Sequence, residues 1–301
     1  MNNTLKSKVK TLYNNRAFYI MMTPFLILFL IFVVWPVIMS VGVSFTSYNV
    51  FQPARLVGFN NYIKLFFGDD LFLTALQNTI LFALVTGPVG YVMCLLFAWL
   101  VNELKGKMRA VMTFVLYAPS VAGNVFIIWL IVFDGDIYGY INSFLLNAGF
   151  ITAPIQWLKD PRYMMTIVLI VQLWMSLGTS FLTLRAGFNT VDKSYYEAAA
   201  MDGIKNRWQE LWFVTLPMMK PHLMLSAVLS ITGAFGSGIV AQTLCGFPST
   251  NYATYLLIHH LQDFATTRYQ RGYAAAIATV LFIMTILFNR FAQAVIRRVG
   301  K

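Results

Sequence analysis

Three places along the chain carry residue types that could do chemistry, and each lacks the company its chemistry needs. Gly106-Lys107 could open a phosphate-cradling loop, but Met108 follows and the earlier glycine is missing, so ATP is not held that way. His259 and His260 are metal-ligand types, yet adjacent residues on a helix point about 100° apart. No cysteine or carboxylate cluster supports them, which leaves a pair of interface histidines. Ser237, in Gly236-Ser237-Gly238, could serve as an intramembrane nucleophile if a base were at hand. His222, however, falls at the opposite membrane face from the outer loop carrying His259, so the run reads as a place of close helix packing. No catalytic group, metal ligand or resident cofactor is expected.

A fourth constellation suits docking. From Ser194 to Pro221 the chain forms a polar island between strongly apolar runs. Ser194-x-x-Glu197 reads as a capping box that starts a helix through Ala198, Ala199 and Ala200, whose small side chains admit another surface. Gly203 supplies the left-handed stop. Asn206-x-x-Gln209 starts a second helix carrying Leu211, Trp212 and Val214, which Pro217 ends before Pro221 opens the next span. A helix lying on lipid is rich in Lys and Arg on its polar face. Here Asp192, Glu197, Asp202 and Glu210 cancel Lys193, Lys205, Arg207 and Lys220. Neutrality and small residues favour a protein partner over anionic lipid.

The elements that carry these residues are dictated by solvent. The chain of 301 residues is 58% hydrophobic and 11% charged, whereas soluble domains carry about 25% charged residues. Mean hydropathy is +0.67. Six runs reach the ~20 apolar residues that a hydrocarbon core demands: Tyr19–Gly42, Gln77–Val101, Ala110–Phe133, Met164–Leu184, His222–Cys245 and Tyr273–Ala294. Backbone groups in lipid must be satisfied within the segment, so all six are predicted helices and the fold class is an all-α transmembrane bundle. The first run is too long for a signal-peptide core and lacks a small-residue cleavage site, so it is expected to remain as a span. Cys94 and Cys245 both fall within spans and indicate no disulfide framework.

The net charge of +11 reports topology rather than nucleic-acid binding. With the N-terminus inside, sixteen of the 22 Lys and Arg residues fall on the cytoplasmic side. Only Arg55, Lys64, Lys159, Arg162, Arg268 and Arg271 fall outside. That asymmetry places both termini in the cytoplasm. The expected organisation is a cytoplasmic tail, 1–18, and a six-span domain, 19–301, with its cytoplasmic loop at 188–221.

No Asp, Glu, Lys or Arg occupies the middle of any span, so the ionisable relays of ion-coupled transporters are missing. No internal repeat is visible either, which weakens the picture of two inverted halves in one chain. The interior polar set is uncharged: Asn78, Ser120, Asn124, Gln172, Ser176, Ser180, Ser230, Thr232, Ser237 and Gln242. Together with Trp174 and Phe181 these could line a path for a hydroxyl-rich solute. Taken singly, each is better explained by a hydrogen bond to a neighbouring helix. Outside, Val43–Leu76 and Asp134–Tyr163 each hold a short amphipathic helix, the second ending at Gly149. Gly246–Gly272 opens with turn residues and continues into a Tyr- and His-bearing stretch. These segments either receive an external partner or anchor the chain at the interface, where Trp157 and Tyr163 suit the headgroup zone.

Glu197-Ala198-Ala199, Gly203 six residues after the Glu, and Leu216-Pro217 resemble the EAA loop of membrane subunits in binding-protein-dependent ABC importers. The loop falls between the spans where that family has it. Trp35-Pro36, Ser44-Phe45-Thr46-x-Tyr48-Asn49, Val57-Gly58-Phe59-Asn60-Asn61-Tyr62 and Gly272-Tyr273-Ala274-Ala275-Ala276-Ile277-Ala278 look like the first membrane subunit of maltose-type carbohydrate importers. One departure is Leu244-Cys245-Gly246-Phe247-Pro248, where the family often has a Thr-Gly-Gly-Gly-Pro-like run.

The resemblance implies the six-span permease fold of type I importers in a bacterial or archaeal cell membrane. It implies a second homologous permease, two ATPase subunits that bind the ATP and magnesium, and an extracellular solute-binding protein delivering a carbohydrate. Tyr196, Glu197, Ala198, Ala199, Met201, Asp202, Gly203, Leu216 and Pro217 would form the ATPase-coupling surface. Asn124, Gln172, Trp174, Ser176, Ser180, Ser230, Ser237 and Gln242 would line the pathway. Asn60, Asn61, Asp134, Pro248 and Asn251 would meet the binding protein. A membrane scaffold whose island docks a cytosolic protein without transport is the alternative from another class.

Overall fold

Apolar composition becomes helix almost throughout. The computed structural model describes residues 15–298, so Lys6, Lys8, Lys10 and Lys301, and most of the expected 1–18 tail, lie outside the described residues. Among the described residues four helical runs are long and apolar enough to cross a membrane, and two bent pairs raise the number to six. The chain is a multi-pass helical membrane protein.

The first run, α1 (Arg16–Val43), has no buried residue in its apolar window. It contains Pro24 and Pro36, and the turn Leu30–Val34 widens just before Pro36. Proline lacks a donor and crowds the preceding turn, and a wide turn makes room for it. The short helix α2 (Asn60–Phe67) precedes α3 (Asp70–Glu103), whose 34 residues extend the expected second span outward by seven residues. At about 1.5 Å per residue α3 is a rod of about 51 Å. Asp69 caps it by accepting from the Phe72 N–H at 3.0 Å.

The third span is not the single helix that hydropathy suggests. It divides into α4 (Gly106–Val121) and α5 (Asn124–Val132), which meet at 81°. The bend falls at Gly123, whose φ of +61° is a left-handed conformation that glycine adopts without a Cβ clash. Helix α6 (Tyr140–Asn147) follows in the outer segment and is closed by Gly149 at φ +74°. The fourth span is bent by 40° between α7 (Pro161–Met175) and α8 (Thr179–Asn189). Asp160 caps α7, with Pro161 in its first turn where a missing donor costs nothing.

The polar island folds as α9 (Lys193–Met201) and α10 (Arg207–Glu210), which continues through the wide turn Leu211–Thr215 to Leu216–Met218. Then come α11 (Lys220–Gly236), α12 (Ile239–Cys245), the outer helix α13 (Leu257–Gln262) and the last span α14 (Arg271–Ile296). Helices α3, α8 and α11 pack against one another, and α11 packs against α14. Cys94, Ala98, Leu184, Phe188, Met219 and Leu223 form the inner core, while Leu65, Phe72, Leu257, Phe264, Tyr273 and Ile277 form the outer one.

The outer segments are built on buried hydrogen-bond hubs. Fully buried Asn142 donates from Nδ2 to the carbonyls of Asp134, Asp136 and Ile155, and its Oδ1 accepts from Ile155 N–H and Trp157 Nε1. Trp157 thus spends its donor on protein rather than on a headgroup. Truncating a hub strands its partners, at about 1–3 kcal/mol per buried unsatisfied group. Asn142→Leu is therefore expected to lower the midpoint of thermal unfolding by several degrees, whereas the exposed Asn147→Leu leaves it in place.

Both histidines are buried, which corrects the expectation of interface residues. His260 Nε2 donates to Asp69 Oδ2 at 3.1 Å, and the same oxygen accepts from the Tyr273 hydroxyl at 2.7 Å. The outer ends of α3, α13 and α14 are thereby joined. Burial lowers the His260 pKa from 6.5, and the Asp69 carboxylate only partly offsets it. At Asp69, burial pushes upward, but Tyr273, Phe72 N–H and His260 together bring the carboxyl below 3.8. Folding thus favours neutral His260 and ionised Asp69, with Asp263 and Arg268 also acting on the ring. Both contributions are complete at neutral pH. His260's fades as pH falls below its ordinary 6.5 and through its lowered folded value, and Asp69's fades at more acidic pH. Hydrogen exchange at Leu257 N–H is expected to speed up on acidification from pH 7 to 5 beyond the change in intrinsic rate, and His260→Gln is expected to flatten that excess.

Candidate transport cavity and candidate docking loop

The bend in the fourth span and a break in the fifth open a cavity of about 350 Å³. Thr86 of α3, Tyr117 and Ser120 of α4, Gln172 of α7, Ser180 of α8 and Ser230 of α11 line it, together with Ser176 and Ser237 at the bend and break. Five of the eight expected pathway residues are thus gathered in one place: Gln172, Ser176, Ser180, Ser230 and Ser237.

Their hydrogen bonds leave complementary chemistry facing inward. Ser176 Oγ donates to Leu173 O at 2.6 Å and Ser120 Oγ to Tyr117 O at 2.8 Å, so each keeps acceptor lone pairs. Gln172 Oε1 accepts from Ser237 Oγ at 3.0 Å, leaving its amide donors. Ser230 Oγ donates to Ser180 Oγ at 2.8 Å. Ser180 and Ser226 exchange hydroxyl-to-carbonyl bonds at 3.3 and 3.2 Å, which draws α8 and α11 together. Ser226, absent from the expected set, is fully buried. Among the described residues no charged side chain lines the cavity.

The remaining members lie elsewhere. Asn124 is exposed at the 81° bend. Trp174 lines a separate apolar crevice with Phe97, Pro119 and Leu177, and meets Trp129 edge-on at 5.6 Å. Gln242 lies on α12, beyond the residues that line the cavity. From the wider polar set, Asn78 donates to Tyr252 O and Tyr255 O, and Thr232 accepts from Asn289 Nδ2.

Gly236-Ser237-Gly238 is the break in the fifth span, and its second glycine admits the close packing that the sequence suggests: a Cβ at Gly238 would lie 2.5 Å from Ile258 Cγ2 of α13. Ser237 is extended at φ −93°, ψ 125°. No Ser–His pair is formed at Ser237 among the described residues: Ser237 Oγ faces Gln172, while His259 Nδ1 faces Leu256 N–H and its Nε2 faces Gly238 O.

In the polar island the local code differs in two respects from the sequence reading. Asp192, not Ser194, caps α9, accepting from Ser194 N–H at 2.9 Å. The Ser194 backbone and hydroxyl hold the Asp192 carboxyl below its ordinary range. Asp lies two residues ahead of the predicted Ser cap, and either type caps well. Pro217 does not end the second helix. The wide turn Leu211–Thr215 accommodates it, Thr215 Oγ1 bonds Glu210 O at 3.2 Å, and the helix runs on to Met218. Asn206 does cap α10, accepting from Gln209 N–H, while Gln209 Oε1 reaches back to Lys205 N–H.

Gly203 ends α9 at φ +91°. Ile204 N–H reaches Ala199 O at 3.0 Å and Gly203 N–H reaches Ala200 O at 3.2 Å, the two bonds of a Schellman stop. One face of α9 is spent internally, with Ala199 buried and Tyr196 Oη 2.9 Å from Thr215 Oγ1. The opposite face presents Ser194, Glu197, Ala198 and Met201 at helical spacing, all exposed, with Met201 at 89%. Asp202 is exposed beside them, Leu216 is buried and Pro217 half-buried. Arg207 lies 3.6 Å from Glu103, and Trp208 meets Trp99 edge-on at 5.5 Å, so the island braces on the inner end of α3.

On the outer side the five expected docking residues divide. Asn60 is exposed at the start of α2, but Asn61 is committed to Ser44 O and Thr46 O at 2.7 and 2.8 Å. Asp134 is exposed and accepts from Asp136 N–H. Pro248 follows a cis bond and Asn251 is left-handed at φ 49°, both in the turn after α12.

Residues 90–301 match the family described as binding-protein-dependent transport system inner membrane component. A probable ABC transporter permease protein, YesP of Bacillus subtilis, is 31% identical over 92% of this chain and 89% of its own. A lactose transport system permease protein, LacF of Rhizobium radiobacter, is 29% identical over 77% of each chain. The fold is that of a chain in a bacterial alginate ABC transporter solved with an alginate pentasaccharide-bound periplasmic protein, at TM-score 0.77, 23% identity and coverage of 97% and 98%. Like the permeases it matches, the chain is a transport subunit rather than an enzyme, and it belongs to the family of inner membrane components of binding-protein-dependent transport systems.

Proposed function

We propose that the chain forms half of the translocation pathway of an ATP-driven importer for a carbohydrate. An extracellular solute-binding protein delivers the sugar, and cytoplasmic ATPase subunits are coupled through the loop at 188–221. The observation that carries this reading is the cavity: about 350 Å³, lined by hydroxyls and an amide, with no charged side chain among the described residues. Amide donors and hydroxyl acceptors in a water-accessible space match a solute that is itself a dense array of hydroxyls. The relative named for lactose transport supports the same class.

The coupling half of the reading rests on α9. Its exposed face of Glu197, Ala198 and Met201 carries a single charge and is rigidly terminated, as a helix seated in a cleft of another protein needs to be. Two ATPase subunits bind the ATP and magnesium, and a second six-span permease completes the pathway in a bacterial or archaeal cell membrane. Asn60, Asp134, Pro248 and Asn251 lie where the binding protein docks. ATP and the loaded binding protein act by binding the outward-facing state more tightly than the inward-facing one.

Purification of the chain in detergent from its native operon context tests the assignment. Two ATPase subunits and a second permease are expected to come with it, with ATP turnover rising on addition of loaded binding protein. Screening sugars on that rise names the substrate. A chain that purifies alone overturns the importer and leaves a membrane scaffold.

A further inference from the structure

The break at Ser237 and Gly238 is held from both sides by other elements. On the cavity side Ser237 Oγ donates to Gln172 Oε1 at 3.0 Å. On the outer side the His259 ring lies 2.9 Å from the Gly238 carbonyl. Leu256 N–H points at His259 Nδ1 at 3.1 Å, so that nitrogen accepts and the proton resides on Nε2, which donates to Gly238 O. The same oxygen receives the helical bond from Gln242 N–H at 3.0 Å, so both of its lone pairs are used. His259 is 3% exposed. A Cβ at Gly238 would lie 2.7 Å from His259 Nε2, so the ring closes on bare backbone.

The segment that supplies His259 is fastened to α3 as well. Thr79 Oγ1 accepts from Leu257 N–H at 2.8 Å, and Asn78 Nδ2 donates to Tyr252 O and Tyr255 O at 3.0 and 3.1 Å. The outer face between the fifth and sixth spans is therefore a built unit whose inner tip, His259, touches the residue next to a cavity-lining serine. A displacement of that unit pulls on the Gly238 carbonyl. Ser237, one residue away in extended backbone, then moves relative to Gln172.

We propose that His259 is a positioning residue that staples the break in the fifth span to the outer segment, so that a binding protein seated there sets the Ser237–Gln172 geometry in the cavity. The proposal rests on the importer reading and adds to it a specific route from the outer surface to the solute site. A purely structural role, capping α13 through Leu256, is separable by side-chain reach. In His259→Asn the shorter amide still accepts from Leu256 N–H but falls short of Gly238. In His259→Gln the longer amide reaches both partners.

The test is ATP turnover by the reconstituted complex, with and without loaded binding protein. His259→Asn is expected to assemble with unchanged basal turnover and to lose about tenfold of the stimulated increment, while His259→Gln retains it. Wild-type stimulation in His259→Asn overturns the staple and leaves the importer standing. An unstimulated wild-type complex overturns the importer reading and the staple with it. A second readout needs no substitution at His259: Gln172→Cys with Ser237→Cys, in a chain whose Cys94 and Cys245 are serine. The rate of cross-linking is expected to change when loaded binding protein is added, and an unchanged rate overturns the proposal.

Discussion

Gly203→Asp is expected to abolish coupled uptake while the protein inserts at the normal level. Gly203 sits at φ +91°, where a side chain costs about 1–2 kcal/mol. Aspartate also adds a negative charge beside Asp202 at the C-terminal end of α9, where the helix dipole disfavours it by about 0.3–1 kcal/mol. Losing the stop frees the Ala199 and Ala200 carbonyls and frays the turn that carries Met201. The docking face therefore melts at the end that projects furthest, while the spans are untouched. Uptake is expected to fall by tenfold or more, equivalent to about 1.4 kcal/mol of coupling. Gly203→Asn, which tolerates the left-handed region, is expected to keep most of it. Glu197→Lys tests the same face by reversing its charge without disturbing the stop. Normal uptake by well-expressed Gly203→Asp overturns the assignment of α9 as the coupling helix.

Ser176→Phe is the second change with a large expected effect. Ser176 lines the cavity at the bend of the fourth span, with its hydroxyl turned to Leu173 O. A phenyl ring there occupies space meant for solute and removes one hydrogen bond, worth about 1 kcal/mol. Transport is expected to fall by at least about tenfold, with the complex still assembled because the island at α9 and α10 does not touch this site. Ser176→Ala, which keeps the space, is expected to retain most transport. Gln172→Phe is expected to act like Ser176→Phe, since its amide also faces the cavity. Asn124→Phe, at the exposed bend, is expected to do less. Uptake unaffected by Ser176→Phe removes this cavity from the pathway.

Much of the molecule was legible because lipid permits few solutions. Apolar runs had to be helices. The position of the breaks was not legible. Gly123 turns the third span by 81°, yet hydropathy averages over a single glycine and reports one continuous segment. Gly236-Ser237-Gly238 looked like a close-packing motif because of its glycines, and only the bonds from Ser237 to Gln172 and from His259 to the Gly238 carbonyl reveal the interruption.

Uncharged polar residues within spans could line a path or bond another helix, and periodicity does not separate the two. The structure gathers Gln172, Ser176, Ser180, Ser230 and Ser237, assigns Asn78 to the outer segment, and turns Trp174 to an apolar crevice. Asp69 carried a readable signal, a capping residue ahead of Asp70–Glu103, but the window for the second span opened at Gln77, after the polar first turns. Asn142 and His259 carried none, since their roles arise from contacts across the fold.

The central claim, that this chain conducts a carbohydrate under the control of ATP hydrolysed elsewhere, is tested most directly in proteoliposomes. The purified complex is reconstituted with ATP inside, and loaded binding protein with labelled sugar is supplied outside. The account predicts label accumulating against its gradient only when both ATP and binding protein are present, and no accumulation with Gly203→Asp. Accumulation without ATP, or in the Gly203→Asp complex at the wild-type rate, contradicts it.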